Sequence, residues 1–174
     1  VVRPRMVVLG PPGAGKSTVG RLLAERLELS FVDVDETIEA TAGKPISDIF
    51  TTDGEPVFRA MEEDAVAAAL DSHDGVLALG GGAVLSERTR RRLAGHTVVF
   101  LNVGMAEGVR RTGLSSARPL LSGINPRATF KALLDGRLPL YREVATVEVA
   151  TDKSEPADVV TAVLAALDSE AGEA

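Results

Sequence analysis

The chain has 174 residues, no cysteine and a formal net charge of −6. That length buries a core without disulfides, and the missing cysteine removes thiolate metal sites and cysteine nucleophiles and points to a reducing, cytoplasmic setting. The acidic balance speaks against a nucleic-acid partner, and no apolar run approaches the roughly 20 residues that span a bilayer.

The first predicted element is a strand over 5–10, built on Met6-Val-Val-Leu9. Gly10-Pro-Pro-Gly13-Ala14-Gly15-Lys16-Ser17-Thr18 follows, and then Val19, Leu22, Leu23 and Leu27 recur at helical spacing. A GxxxxGK[ST] loop between strand and helix is a phosphate site: the glycines let backbone N–H groups face anionic oxygens at a helix N-terminus. Lys16 would then reach the terminal phosphates and the Ser17 hydroxyl would hold a magnesium ion.

A second short strand, Phe31-Val-Asp33-Val, runs into Asp35. In an extended segment Asp33 and Asp35 point the same way, so one would serve a magnesium-bound water near Ser17 and the other a substrate. Helices are predicted over about 36–42, 46–52 and 55–71. Arg59 lies opposite Phe58 and Met61 with Glu62 and Glu63 at i+3 and i+4, which fits a surface ion-pair ladder as well as a substrate cation.

Val76-Leu-Ala-Leu79 is a strand buried on both faces, ending in Gly80-Gly81-Gly82, where the lack of side chains exposes backbone N–H groups. A helix near 86–94, a strand over 97–102 and a helix near 105–112 come next. Residues 112–126 are broken by Gly113, Ser115, Ser116, Pro119, Gly123 and Pro126 and read as a mobile lid, with Arg118 inside it and Arg110 and Arg111 beside it. A helix over 127–143 carries Arg137, a strand covers 145–150, and a last helix turns Val160, Val163, Leu164 and Leu167 inward. The acidic end, 169–174, is expected to fray.

Strand and helix alternate throughout, which predicts one three-layer α/β domain, core about 5–168, around a parallel sheet of five strands. Ligands of such a sheet bind at the carboxyl ends of its strands, where the phosphate loop, the acidic pair and the glycine run all fall. His73 and His96 pair with no nucleophile and read as structural. Ser86, Ser115 and Ser116 have no base, which speaks against hydrolase chemistry.

Seen together, GPPGAGKST at 10–18, DVDETIE at 33–39, Ile46-Ser-Asp-Ile-Phe through Gly54-Glu55 to Phe58-Arg59, LGGGAV at 79–84, Arg118-Pro119-Leu120 and Arg137-Leu-Pro-Leu-Tyr141-Arg142 resemble the shikimate kinases. The resemblance implies a P-loop kinase fold with sheet order 2-3-1-4-5 and a substrate-binding region at about 34–60. It also implies Mg²⁺-dependent transfer of the ATP γ-phosphoryl group to the 3-hydroxyl of shikimate, on the route to aromatic amino acids, by a monomer. On that reading Asp35 meets the accepting hydroxyl, and Arg59 and Arg137 clamp the shikimate carboxylate. Glu62 orients Arg59, and Gly80, Gly81 and Gly82 line the ring. Gly13, Ala14, Gly15, Lys16, Ser17 and Thr18 hold the phosphates, Ser17 and Asp33 serve the metal, and Arg111 and the lid's Arg118 join the nucleotide site. Family members often carry an arginine against adenine after the last strand. Here Lys153 and Ser154 stand there, so Lys153 brings charge without a planar face. A gluconate kinase, a nucleotide kinase and a nucleotide-binding module with lapsed catalysis are the rival readings.

Overall fold

A computed structural model describes residues 2–112 and 125–173. The strands are β1 (Met6–Leu9), β2 (Phe31–Asp33), β3 (Val76–Ala78), β4 (Val98–Asn102) and β5 (Val147–Ala150). They form one parallel sheet in the order β2-β3-β1-β4-β5, as the resemblance implies. The helices are α1 (Lys16–Arg26), α2 (Val34–Ala42), α3 (Ile46–Thr52), α4 (Glu55–Ser72), α5 (Glu87–Leu93), α6 (Met105–Thr112), α7 (Pro126–Val144) and α8 (Pro156–Gly172), with a 3₁₀ turn at Ala83–Leu85. None of them is long and apolar enough to cross a membrane, among the described residues.

The central strands are apolar on every residue because both faces are covered. On one face Val8, Val76 and Val99 pack with Leu23 of α1 and Val160 and Val163 of α8. On the other Val7, Leu77 and Phe100 pack with Ile38 of α2, Ile49 of α3, Phe58 and Val66 of α4 and Tyr141 of α7. Helix α7 serves both layers, since its Phe130 belongs to the first cluster and its Tyr141 to the second.

Register explains why the site forms where it does. Asp33 stands opposite Ala78, and Ala78 opposite Val8, so the acidic end of β2, the glycine run after β3 and the phosphate loop after β1 begin at one level. Gly10 has φ +154°, and a Cβ there would lie 2.2 Å from the Leu101 carbonyl oxygen, so any side chain would push the loop off the sheet.

Two expectations change. Helix α2 starts at Val34, so Asp35 belongs to a helix and does not extend β2. Helix α8 runs to Gly172 where a frayed end was expected; its closing Ser-Glu-Ala residues are exposed but favour helix enough to continue it. The expected lid, apart from Thr112 and Asn125–Pro126 at its ends, lies outside the described residues, and Arg118 with it.

Candidate active site

The phosphate loop and the acidic end of β2 meet first. Lys16 Nζ donates to the Pro11 carbonyl at 3.1 Å. The Ser17 hydroxyl donates to Asp33 Oδ2 at 2.5 Å, and Asp33 Oδ1 accepts from the Asp35 amide at 2.9 Å. Asp33 is therefore the N-cap of α2, and that capping bond ends the strand and turns Asp35 away from its predecessor. The expectation that both carboxylates face the same way fails for this reason: Asp33 looks toward Ser17, while Asp35 lies over Gly80.

A hydroxyl and a carboxylate are the hard oxygen donors that suit a magnesium ion. Among the described residues no cluster of three or more histidine and acidic ligands exists. A cation at Ser17 and Asp33 would thus be completed by water and phosphate oxygens, which is how magnesium sits in nucleotide sites.

The glycine run is occupied space. A Cβ on Gly80 would fall 2.7 Å from Asp35 Oδ1 and 2.9 Å from Glu62 Oε2, and one on Gly82 would fall 2.2 Å from Arg59 Nη1. Three side chains thus cross where ordinary residues would project. Arg59 donates from Nη1 to Glu62 Oε1 at 2.9 Å and from Nε to Glu55 Oε1 at 3.2 Å. Its guanidinium carbon stands 5.2 Å from the Phe58 ring centre and 6.0 Å from that of Phe50, a cation–π geometry that fixes its direction. The ladder reading of Arg59 holds only in part, because Glu63 leaves it to accept from Ser86 Oγ at 2.5 Å and from Arg88.

Glu62 is buried. Burial raises its carboxyl above the ordinary glutamate value, the Arg59 guanidinium opposes this, Asp35 adds to it, and Arg137 opposes it again. Asp35, Glu62 and Arg59 thus crowd over Gly80 and Gly82, and Arg137, only 7% exposed, lies near enough for its charge to act on Glu62.

Arg111 closes the other end. Nη1 donates to the Gly13 carbonyl at 3.1 Å and to Thr151 Oγ1 at 3.0 Å, Nη2 to the Thr151 carbonyl at 2.7 Å, and Nε to Glu107 at 2.9 Å. It ties the phosphate loop to the turn after β5. Lys153 occupies that turn, exposed and left-handed at φ +59°. His73, read as structural, bonds the Val76 carbonyl at 3.0 Å, and the Ser86 side chain caps α5.

Sequence reasoning left some site contacts unread. Glu55 could have been read from its i,i+4 spacing to Arg59 on α4 but was not, while Phe50 and Thr151 appear only through tertiary contact. Tyr141, visible in the 137–142 run, had no role assigned, yet its hydroxyl donates to the Gly81 carbonyl.

The model of one protein family, shikimate kinase, matches residues 12–168. The chain belongs to the shikimate kinase family. A shikimate kinase of Saccharopolyspora erythraea is 74% identical over 153 residues, which are 88% of this chain and 87% of its own. A shikimate kinase of Rhodococcus jostii is 51% identical, across 94% of this chain and 98% of its own. Among solved structures, a shikimate kinase from Acinetobacter baumannii in complex with shikimate superposes with a TM-score of 0.92 at 36% identity, covering 97% of this chain and 94% of that one. Family membership and the sheet order expected from the resemblance are thus both borne out.

Proposed function

We propose that the chain transfers the γ-phosphoryl group of ATP to the 3-hydroxyl of shikimate, yielding shikimate 3-phosphate and ADP on the route to chorismate and the aromatic amino acids. The observation that carries this reading is the meeting of Arg59, Arg137, Asp35 and Glu62 around Gly80–Gly82, next to the phosphate loop. Shikimate is a small polyol with one fixed charge, and paired guanidinium groups match a planar carboxylate.

On this account Arg59 and Arg137 fix the carboxylate, Glu62 holds Arg59 in line, and Gly80, Gly81 and Gly82 line the ring. Asp35 accepts the hydrogen bond of the reacting hydroxyl and orients its lone pair toward the γ-phosphorus. The hydroxyl oxygen forms the new P–O bond as the bond from γ-phosphorus to the β,γ-bridging oxygen breaks, and the hydroxyl proton leaves by way of Asp35. Gly13, Ala14, Gly15 and Thr18 bind phosphate oxygens, and Lys16 draws charge toward the leaving group. Ser17 and Asp33 would hold Mg²⁺, which would supply charge neutralisation at the phosphate oxygens. Arg111 and Lys153 frame the nucleotide, and Arg118 is assigned to the transferred phosphoryl group. Phosphoryl transfer asks for alignment and charge compensation more than covalent chemistry, and each of these residues supplies one or the other. We take the enzyme to act as a monomer in the cytoplasm, in keeping with its cysteine-free composition.

The test is ADP release with Mg-ATP and shikimate, gluconate or AMP at matched concentrations. Turnover on shikimate alone is expected. Turnover on gluconate or AMP instead would reassign the acceptor, and ATP binding without turnover on any of the three would make the chain a binding module.

A further inference from the structure

Tyr141 takes no part in the mechanism above, yet it is the only tyrosine of a chain without tryptophan. Its ring is fully buried and stacks on Phe100 of β4, with centres 4.9 Å apart and planes 27° apart. Its hydroxyl donates to the Gly81 carbonyl. Burial pushes the phenol up to about 12, with the Arg137 guanidinium opposing the shift, so it stays a donor at working pH.

A buried phenol needs a partner, but this partner is informative. Gly81 is the middle of a run that has no side chains to anchor it. Backbone bonds hold its two ends: the Leu79 amide donates to Val8 at 3.0 Å and the Ala83 amide to Gly80 at 3.1 Å. Between them the described anchor is Tyr141. A Cβ on Gly81 would lie 3.2 Å from the Gly10 carbonyl oxygen and 3.3 Å from Pro12 Cδ, so the residue is wedged against the phosphate loop. Arg137 precedes Tyr141 by four residues and lies on the same face of α7.

We propose that Tyr141 is a positioning residue for the acceptor, its hydroxyl pinning the Gly81 carbonyl to the turn of α7 that carries Arg137. The floor beneath the acceptor ring and the clamp on its carboxylate then move as one body. The proposal rests on the acceptor reading above, because it assigns Gly81 and Arg137 to the same ligand.

Tyr141→Phe removes the hydroxyl and keeps the ring on Phe100. The KM for shikimate is expected to rise about tenfold, the scale of one lost hydrogen bond to a buried carbonyl. The KM for ATP and kcat should stay within about twofold, because the lost contact serves ground and transition states alike. Phe100→Leu, which thins the packing under the ring and leaves the hydroxyl, should lower the melting temperature and keep the wild-type ratio of the two KM values. A third readout needs no variant: shikimate alone should perturb the near-ultraviolet absorbance of the single phenol, saturating near its KM. Early melting of Tyr141→Phe with both KM values unchanged would overturn the proposal. A parallel rise of both KM values, the same split in Phe100→Leu, or a phenol spectrum blind to shikimate would do so too. A wild-type chain that ignores shikimate would instead defeat the acceptor reading, so the two failures are distinguishable.

Discussion

Alanine at position 82 would put one methyl group where the Arg59 guanidinium now lies. The backbone accepts it, since Gly82 has φ −97° and ψ 2°, the bridge region that non-glycine residues also occupy in turns. The side chain does not fit. The new Cβ would stand 2.2 Å from Nη1 and 2.5 Å from both Cζ and Nη2. Normal contact at about 3.5 Å therefore asks the guanidinium to retreat by roughly 1 Å. That displacement breaks its alignment with Glu62, now 2.9 Å away, and with a carboxylate held in the clamp. One charge-assisted hydrogen bond is worth about 1.5–3 kcal/mol, which corresponds to a rise of roughly ten- to a hundredfold in the KM for shikimate. The carboxylate contact exists in ground and transition states alike, so kcat should fall little. Steady-state kinetics with each substrate varied in turn measures this, with a melting curve to confirm folding. An unchanged KM for shikimate, or an equal rise in the KM for ATP, would refute the claim that Gly82 is there to seat Arg59.

Other perturbations separate the two halves of the site. Asp35→Asn keeps the shape and loses the charge; kcat is expected to drop about a hundredfold or more while ATP affinity, read by titration, holds steady. Arg137→Ala should raise the KM for shikimate by roughly a hundredfold and spare that for ATP, because a buried cation facing an anion is lost; a selective rise for ATP would move Arg137 to the nucleotide side. Burial lifts the Glu62 carboxyl above its ordinary value, so Glu62 takes up its proton at higher pH than an exposed glutamate and then releases Arg59. The acid limb of kcat/KM for shikimate should accordingly lie above the ordinary glutamate range and flatten in Glu62→Gln. The same upward shift fixes the sign for stability: the folded chain binds this proton more tightly than the unfolded one. The contribution is complete below the unfolded value and lost as pH rises through the folded one. Wild-type stability relative to Glu62→Gln should fall over that interval in denaturant titrations.

The parts of this molecule that local chemistry decides were readable in the sequence. Helices at 46–52 and 105–112 lie where expected, since Pro45 and Gly54 bracket the first and Gly104 precedes the second. The phosphate loop was readable because backbone geometry and residue type coincide there. Asp35 was misread because two forces compete at the end of β2: strand alternation, and the capping of α2 by the Asp33 carboxylate, which wins. Glu62 and Glu63 are equally placed on α4 to meet Arg59, and only Ser86 and Arg88, more than 20 residues away, draw Glu63 off. The reason for three glycines was also out of reach. It is set by side chains from α2 and α4 that arrive over them in the folded chain, and by a phenol from α7.

Identifying the phosphorylated product tests the central claim most directly. Phosphorus NMR of a reaction containing Mg-ATP and shikimate should show a phosphomonoester coupled to the single proton at C3, formed in equal amount with ADP. Inorganic phosphate in place of the ester, or an ester on another hydroxyl, would contradict the placement of the acceptor under Asp35 between Arg59 and Arg137.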